Sequence, residues 1–260
     1  MKVQVFSLGA MAVEDIELPG AFGSDVRPDV INRAVLAAQS SRIQPWGSNV
    51  MSGKRTTAET WGKGRGVSRT RRVKGSRSPA AGKAAFNPHT VGGRRAHPPR
   101  VEKVLIERIN KKERLFAIRS AIAATKNKSL VASRGHLIEN LPDLPIVVTD
   151  EIEGLRKTRD MRVFLKKLGL GKELERVHGS KRIRAGVGKM RGRKYRRSVG
   201  PLLVIGEDKG VSLAIRNLPG FSVVKVTELN SELLAPGGVP GRLTIWTRSA
   251  FKKLAERLIT

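Results

Sequence analysis

Guanidinium and ammonium groups are the chemistry this sequence offers in quantity, and they are gathered into two runs. Residues 41–100 hold fourteen Lys and Arg against one acid, Glu59, and residues 176–197 hold ten against none. These runs carry +13 and +10 of a formal net charge of +29, which leaves +6 for the rest of the chain. A guanidinium presents a planar fork of donors that matches a phosphate and can stack on a base, while an ammonium acts as a point charge. Cations with no acids beside them attract a polyanion, and release of its counterions drives the association. Ordinary solvated charge mixes its signs, so nucleic acid is the expected partner.

In the first run the candidates for phosphate and groove contacts are Arg55, Lys63, Arg65, Arg69, Arg71, Arg72, Lys74, Arg77, Lys83, Arg94 and Arg95. In the second they are Lys181, Arg182, Arg184, Lys189, Arg191, Arg193, Lys194, Arg196 and Arg197. Nine glycines and five prolines punctuate residues 41–100; glycine lets the backbone come close to a phosphate. Trp61 and Phe86 are candidates for stacking on unpaired bases, the alternative for each being a small local cluster or packing under the base of the loop. Trp46, nearer the preceding helix in sequence, is expected to be buried, which is the ordinary fate of a large ring.

Other chemistry finds little support. Gly62-x-Gly64-x-Gly66 neither follows a strand nor opens a helix, so a dinucleotide loop does not fit. Gly188-Lys189 is followed by Met190 and preceded, five residues earlier, by Ile183, which rules out a phosphate loop. Asp150, Glu207 and Asp208 fall just past predicted strand ends, where α/β enzymes place catalytic acids; without a partner motif they read as loop or capping residues. No catalytic constellation is legible, and neither a metal nor a cofactor is expected. There is no cysteine, and His89, His97, His136 and His178 show no ligand spacing. No apolar run is long enough to span a bilayer, and the acids at Glu14 and Asp15 do not suit a signal peptide, so an intracellular protein is expected.

The elements that must position these side chains follow from periodicity. Lys2–Phe6 alternates as a strand, with 13–18 returning as a hairpin. Pro28 opens a helix whose apolar face ends at Ser40. Residues 41–100 show neither helical nor strand period, and they read as a long extended basic loop that threads into folded RNA. A capping box at Asn110 and Glu113 is expected to start a helix over 111–125. Strands are expected over 145–149, 202–205, 221–226 and 243–246. Helices or helical turns are expected over 158–168, 211–216, 229–234 and 249–258. Short apolar strands alternating with helices predict an α/β class, a largely parallel sheet with helices on both faces, Rossmann-like and three-layered. The chain is expected to form a single body over 1–260, with the loop at 41–100 and a second basic insertion at 176–200.

Several segments carry a resemblance. Arg27-Pro-Asp-Val-Ile31, Trp61-Gly-Lys-Gly-Arg-Gly66, Gly92-Gly93 and Asn110-Lys-Lys-Glu-Arg-Leu-Phe-Ala-Ile-Arg-Ser-Ala121 resemble the family of ribosomal protein four of the large subunit. So do Arg184-Ala-Gly-Val-Gly-Lys-Met-Arg191, Ile215-Arg-Asn-Leu-Pro-Gly220, Leu234-Ala-Pro-Gly-Gly238 and Ile245-Trp-Thr-Arg-Ser-Ala-Phe251. The segments run in order along nearly the whole chain and resemble the archaeal and eukaryotic branch, archaeal members most. The resemblance implies a structural, non-enzymatic role in the cytoplasm, in the large ribosomal subunit. It further implies that the protein binds the subunit's RNA, aids its assembly, and lines part of the peptide exit tunnel with its loop. The partners so implied are large-subunit ribosomal RNA, neighbouring proteins including the L-twenty-two family, and nascent peptide near the loop tip, with no membrane. Independently of the resemblance, two other readings suit a basic α/β chain: an RNA-modifying or RNA-cleaving enzyme that uses the loop as a substrate clamp, and a DNA-compacting binder.

Overall fold

A computed structural model describes residues 2–257, and the chain divides into two compact units. One is assembled from the described residues up to Gln39 and from Glu107 onward; the other is Ser40–Ile106. In chain order the elements begin with β1 (Lys2–Phe6), β2 (Ala12–Glu17) and α1 (Pro28–Ser40). The second unit contributes β3 (Ala58–Glu59) and β4 (Arg72–Val73). There follow α2 (Lys111–Lys126), α3 (Lys128–Ser133), β5 (Ile146–Val148), α4 (Thr158–Lys167) and α5 (Gly171–Gly179). Next come β6 (Arg182–Ile183), β7 (Tyr195–Arg196), β8 (Leu202–Ile205), α6 (Val211–Ile215) and β9 (Ser222–Lys225). The described chain closes with α7 (Ser231–Leu234), β10 (Thr244–Thr247) and α8 (Arg248–Arg257); Leu258, expected to end the last helix, lies outside the described residues.

The first unit is of the α/β class. Its six-stranded sheet has the order β2-β1-β5-β10-β8-β9. Every pairing is parallel except β1 with β2, the antiparallel hairpin at one edge. Each residue of β5, β8 and β10 is buried, as nearly all-apolar central strands require when both sheet faces are covered. Successive side chains point to opposite faces. Val147, Leu202, Val204 and Trp246 accordingly join one core with Ile31 and Val35 of α1, Ile122 of α2 and Phe251 of α8. Ile146, Val148, Leu203, Ile205 and Ile245 join the other with Phe164 of α4, Leu174 of α5 and Ile215 of α6. Trp246 meets Phe22 edge-on at 5.7 Å between ring centroids, and its Nε1 donates to Thr244 Oγ1 at 3.2 Å.

Several local expectations need correction. Asn110 occupies the N-cap of α2 but makes no side-chain cap hydrogen bond; Glu113 instead pairs with Arg33 of α1 at 2.9 Å. An ion pair between helices has replaced the capping box. The helices α3 and α5 have no counterpart in the sequence reading, and Arg176, taken as the start of the second basic run, lies in the last turn of α5.

Arg176 belongs to a buried polar cluster. Glu173 accepts Arg176 Nε at 2.8 Å, Arg176 Nη2 at 2.6 Å and the Leu137 amide at 3.1 Å, and its Oε1 lies 2.6 Å from His136 Nδ1. Burial alone would raise the Glu173 carboxyl, but hydrogen bonds from Arg176, His136 and Leu137 outweigh it and hold the group at about 2. A carboxyl depressed in the folded state adds stability above its ordinary value of 4.5, and that stability drains away as pH falls toward about 2. Glu173→Gln is expected to lower unfolding free energy at pH 7 by about 3 kcal/mol. The gap to the parent should close as pH falls below about 4.5, read from urea melts at each pH. A constant gap would show that shape alone, and not charge, matters at this position.

Candidate nucleic-acid interface

The Ser40–Ile106 unit is ordered by a short antiparallel ribbon rather than by an apolar core. Ala58 pairs with Val73 and Glu59 with Arg72. On the other side of β4, Arg72 bridges to Ala84, the Val73 amide donates to Lys83 O at 3.0 Å, and the Ala85 amide donates to Arg71 O at 2.9 Å. This corrects the expectation of a loop without strand structure. Ladder hydrogen bonds and the small buried Ala85 need no apolar period, so periodicity could not reveal them. Gly62, Gly64 and Gly66 all have φ between +66° and +78° with open space where a Cβ would stand, the geometry of exposed turns.

The ribbon sorts the predicted cations. Arg71 lies over the Phe86 ring at 4.6 Å and Arg72 over Trp61 at 5.4 Å. Arg72 also donates from Nη1 to Gly82 O at 2.9 Å. Lys74 forms an ion pair with Glu59. Arg55, Lys63, Arg65, Arg69, Arg71, Arg77, Lys83 and Arg95 are exposed, while Arg72 and Arg94 are half-buried. Trp61 remains 48% exposed, and Phe86 is half-buried under its arginine with φ at +73°. Trp46 is 66% exposed, against the expectation of burial. With fourteen cations and one acid in residues 41–100, at most one of them has an acid of the same segment to neutralise it.

The second basic run forms a hairpin in the first unit. Arg182 stands opposite Arg196 and Ile183 opposite Tyr195. Like charges directly across a strand pair repel, which is tolerable where an external anion lies over them. The Arg184 amide donates to Lys194 O at 2.8 Å, and Arg184 Nε donates to Arg193 O at 3.1 Å. Lys181 Nζ and Lys194 Nζ flank the Tyr195 ring at 4.4 and 5.7 Å from its centroid. The Ser198 amide ties the returning strand to Ser180 Oγ at 2.9 Å. Arg182, Lys189, Arg191, Arg193, Lys194, Arg196 and Arg197 are exposed, as is Lys181, and Arg184 is half-buried.

The acids at strand ends have structural partners. Asp150 Oδ1 accepts the Ser249 amide at the start of α8 at 2.7 Å. Asp208 Oδ1 accepts the Gly210 amide at 3.0 Å before α6. Glu207 pairs with Lys253 at 3.1 Å. Among the described residues no group of His, Asp or Glu is placed to hold a metal ion, and no helix is long and apolar enough to cross a membrane.

Comparison with known proteins then decides the family. The pattern that defines the Ribosomal protein L4/L1 family matches residues 16–257. The chain belongs to this family. Curated relatives named large ribosomal subunit protein uL4 agree along nearly the full length. That of Methanosphaera stadtmanae is 52% identical over 255 residues, covering 98% of this chain and 96% of the relative. That of Methanopyrus kandleri is 49% identical over 258 residues, with 99% of each chain covered. That of Methanocaldococcus jannaschii is 50% identical over 257 residues, again covering 99% of each. In this family member the sequence reading missed two exposed rings. Tyr195 could have been found from its place inside a run of cations. Trp46 could have been found from Pro45 and Gly47, which flank it and suit a loop better than a core.

Proposed function

We propose that this protein is a structural constituent of the large ribosomal subunit, located in the cytoplasm, that binds large-subunit ribosomal RNA and aids its assembly. The observation that carries the reading is the full-length similarity to archaeal large-subunit proteins, and the acid-poor cationic surfaces are what such a role needs. Arg55, Lys63, Arg65, Arg69, Arg71, Arg77, Lys83 and Arg95 meet phosphates along the Ser40–Ile106 unit. Arg72, Lys74 and Arg94 act from its ribbon, and Trp61 and Phe86 offer rings to bases. Lys181, Arg182, Arg184, Lys189, Arg191, Arg193, Lys194, Arg196 and Arg197 form a second phosphate-binding surface. The first unit serves as a Rossmann-like three-layer body without catalytic work, and residues 41–100 serve as its RNA-penetrating insertion. The tip of that insertion lines part of the peptide exit tunnel, beside a protein of the L-twenty-two family and within reach of nascent peptide.

Density-gradient fractionation of a cell lysate tests the assignment. The chain is expected to sediment with large ribosomal subunits and to stay with them at moderate salt. A chain that remains at the top of the gradient, with subunits intact, would overturn the assignment.

A further inference from the structure

The stem of the Ser40–Ile106 unit presents Trp46 as a wall shared by two clefts, of about 580 and 450 Å³. Both volumes fall in the range of small-ligand sites. Pro98, Pro99 and Arg100 line both clefts together with Trp46. The first cleft is completed by Leu105, with Lys103, His97 and one acid, Glu102, around it. The second adds Lys54, Arg94 and Arg95 and is lined by no acid. A slot walled by a ring, two prolines and Leu105 therefore adjoins a groove whose charged side chains are all cationic.

The stem is held close by backbone. The Ser48 amide donates to Pro99 O at 3.2 Å. A Cβ on Gly47 would lie 2.9 Å from Val101 Cγ2, and one on Gly53, at φ +72°, would lie 2.4 Å from the Arg94 nitrogen. The two chain segments thus run nearer than side chains at those glycines would allow. Pro98 and Pro99 have fixed φ and no amide donors, so they supply a stiff apolar wall.

We infer that this stem is a nucleotide site: an unpaired RNA base stacks on Trp46 against Pro98 and Pro99, and its phosphates lie in the neighbouring groove on Arg94, Arg95 and Arg100. The inference rests on the reading of RNA as the partner and adds a defined place where one base is held. Charge complementarity favours a nucleotide over an apolar protein segment. The unit holds fifteen Lys and Arg against two acids, Glu59 and Glu102, and the slot shares Trp46, Pro98, Pro99 and Arg100 with the cationic groove. A tryptophan face accepts any base, so the site selects for an unstacked base rather than for its identity.

The test uses the full chain carrying Trp61→Phe as parent, which leaves Trp46 and the fully buried Trp246 as the fluorophores. A short single-stranded oligoadenylate is expected to quench Trp46 emission, whereas inorganic polyphosphate, which has charge but no bases, is expected to bind without quenching. Adding Trp46→Ala to the parent should weaken oligoadenylate binding about tenfold or more while leaving the slope of log affinity against log salt unchanged. Trp46→Phe should restore most of the loss. Equal quenching by polyphosphate, or equal affinity after Trp46→Ala, would overturn the inference and show that the ring serves solvent or a protein neighbour. If the unsubstituted chain binds large-subunit ribosomal RNA but not oligoadenylate, the inference falls and the proposed function stands; an unsubstituted chain that binds neither would overturn both.

Discussion

Exchanging Lys63, Arg65, Arg69, Arg71, Arg77 and Lys83 for Gln is expected to flatten the salt dependence of binding to large-subunit ribosomal RNA, lowering the log–log slope by about 5. All six side chains are exposed. The ion-paired Lys74 and the ribbon-bonded Arg72 are left in place. Each phosphate contact contributes about 0.9 to the slope through the counterion it releases. Between 50 and 200 mM salt the parent should therefore lose about a thousandfold more affinity than the variant. Filter binding across a salt series reads this directly. The fold should suffer little, because apart from the contact of Arg71 with the Phe86 ring these exposed like charges repel one another in the free protein. An unchanged slope with a native circular dichroism spectrum would show that the cations are merely solvated.

Arg242→Leu is expected to produce the largest loss of stability. The residue is 2% exposed, and its guanidinium ties together three parts of the first unit. Nε donates to Gly200 O at 2.9 Å and Nη1 to Leu233 O at 2.9 Å. Nη2 donates to Ser222 Oγ at 2.9 Å and to Pro201 O at 3.4 Å. These acceptors lie before β8, on α7 and on β9. Burial, with the nearby Arg134 cation adding to it, pushes the Arg242 guanidinium down to about 10, which leaves it charged at neutral pH. Leucine fills part of the space but leaves several buried acceptors without donors, at a cost of about 3–5 kcal/mol. For a unit of this size that should lower Tm by about 10 °C. Arg242→Lys retains the charge but not the fork, and it should recover only a minor part. A Tm within about 2 °C of the parent for Arg242→Leu would mean that water replaces the guanidinium at little cost.

Where burial and pattern coincide, the sequence was informative. The runs at Leu202–Ile205 and Ile146–Val148 are apolar throughout, so their two-sided burial in a parallel sheet could be read directly, and Gly169 marked the end of α4. The short helices α3 and α5 were illegible for a physical reason. The first has six residues and the second opens on Gly171, directly after the turn at Gly169, so neither offers a long apolar face. The cationic surfaces could be located from charge alone because acids are missing from them. Their internal order could not. The ribbon around β4 is built from backbone hydrogen bonds and alanines, and its arginines pack on rings that lie ten to fifteen residues away in sequence, as Arg72 does on Trp61 and Arg71 on Phe86. Trp46 misled for the opposite reason: a ring is usually buried, but this one is 66% exposed and lines the two stem clefts beside prolines and cations.

The central claim is that the Ser40–Ile106 unit meets most of its neutralising charge in folded RNA. Amide hydrogen exchange of residues 63–77, compared between the free protein and the assembled large subunit, tests it most directly. Outside ladder amides such as that of Val73, the free protein should exchange rapidly, because like charges repel and few apolar groups oppose them. In the subunit the same amides should be protected along the whole segment. Equal exchange in the two states, whether fast or slow, would contradict the claim.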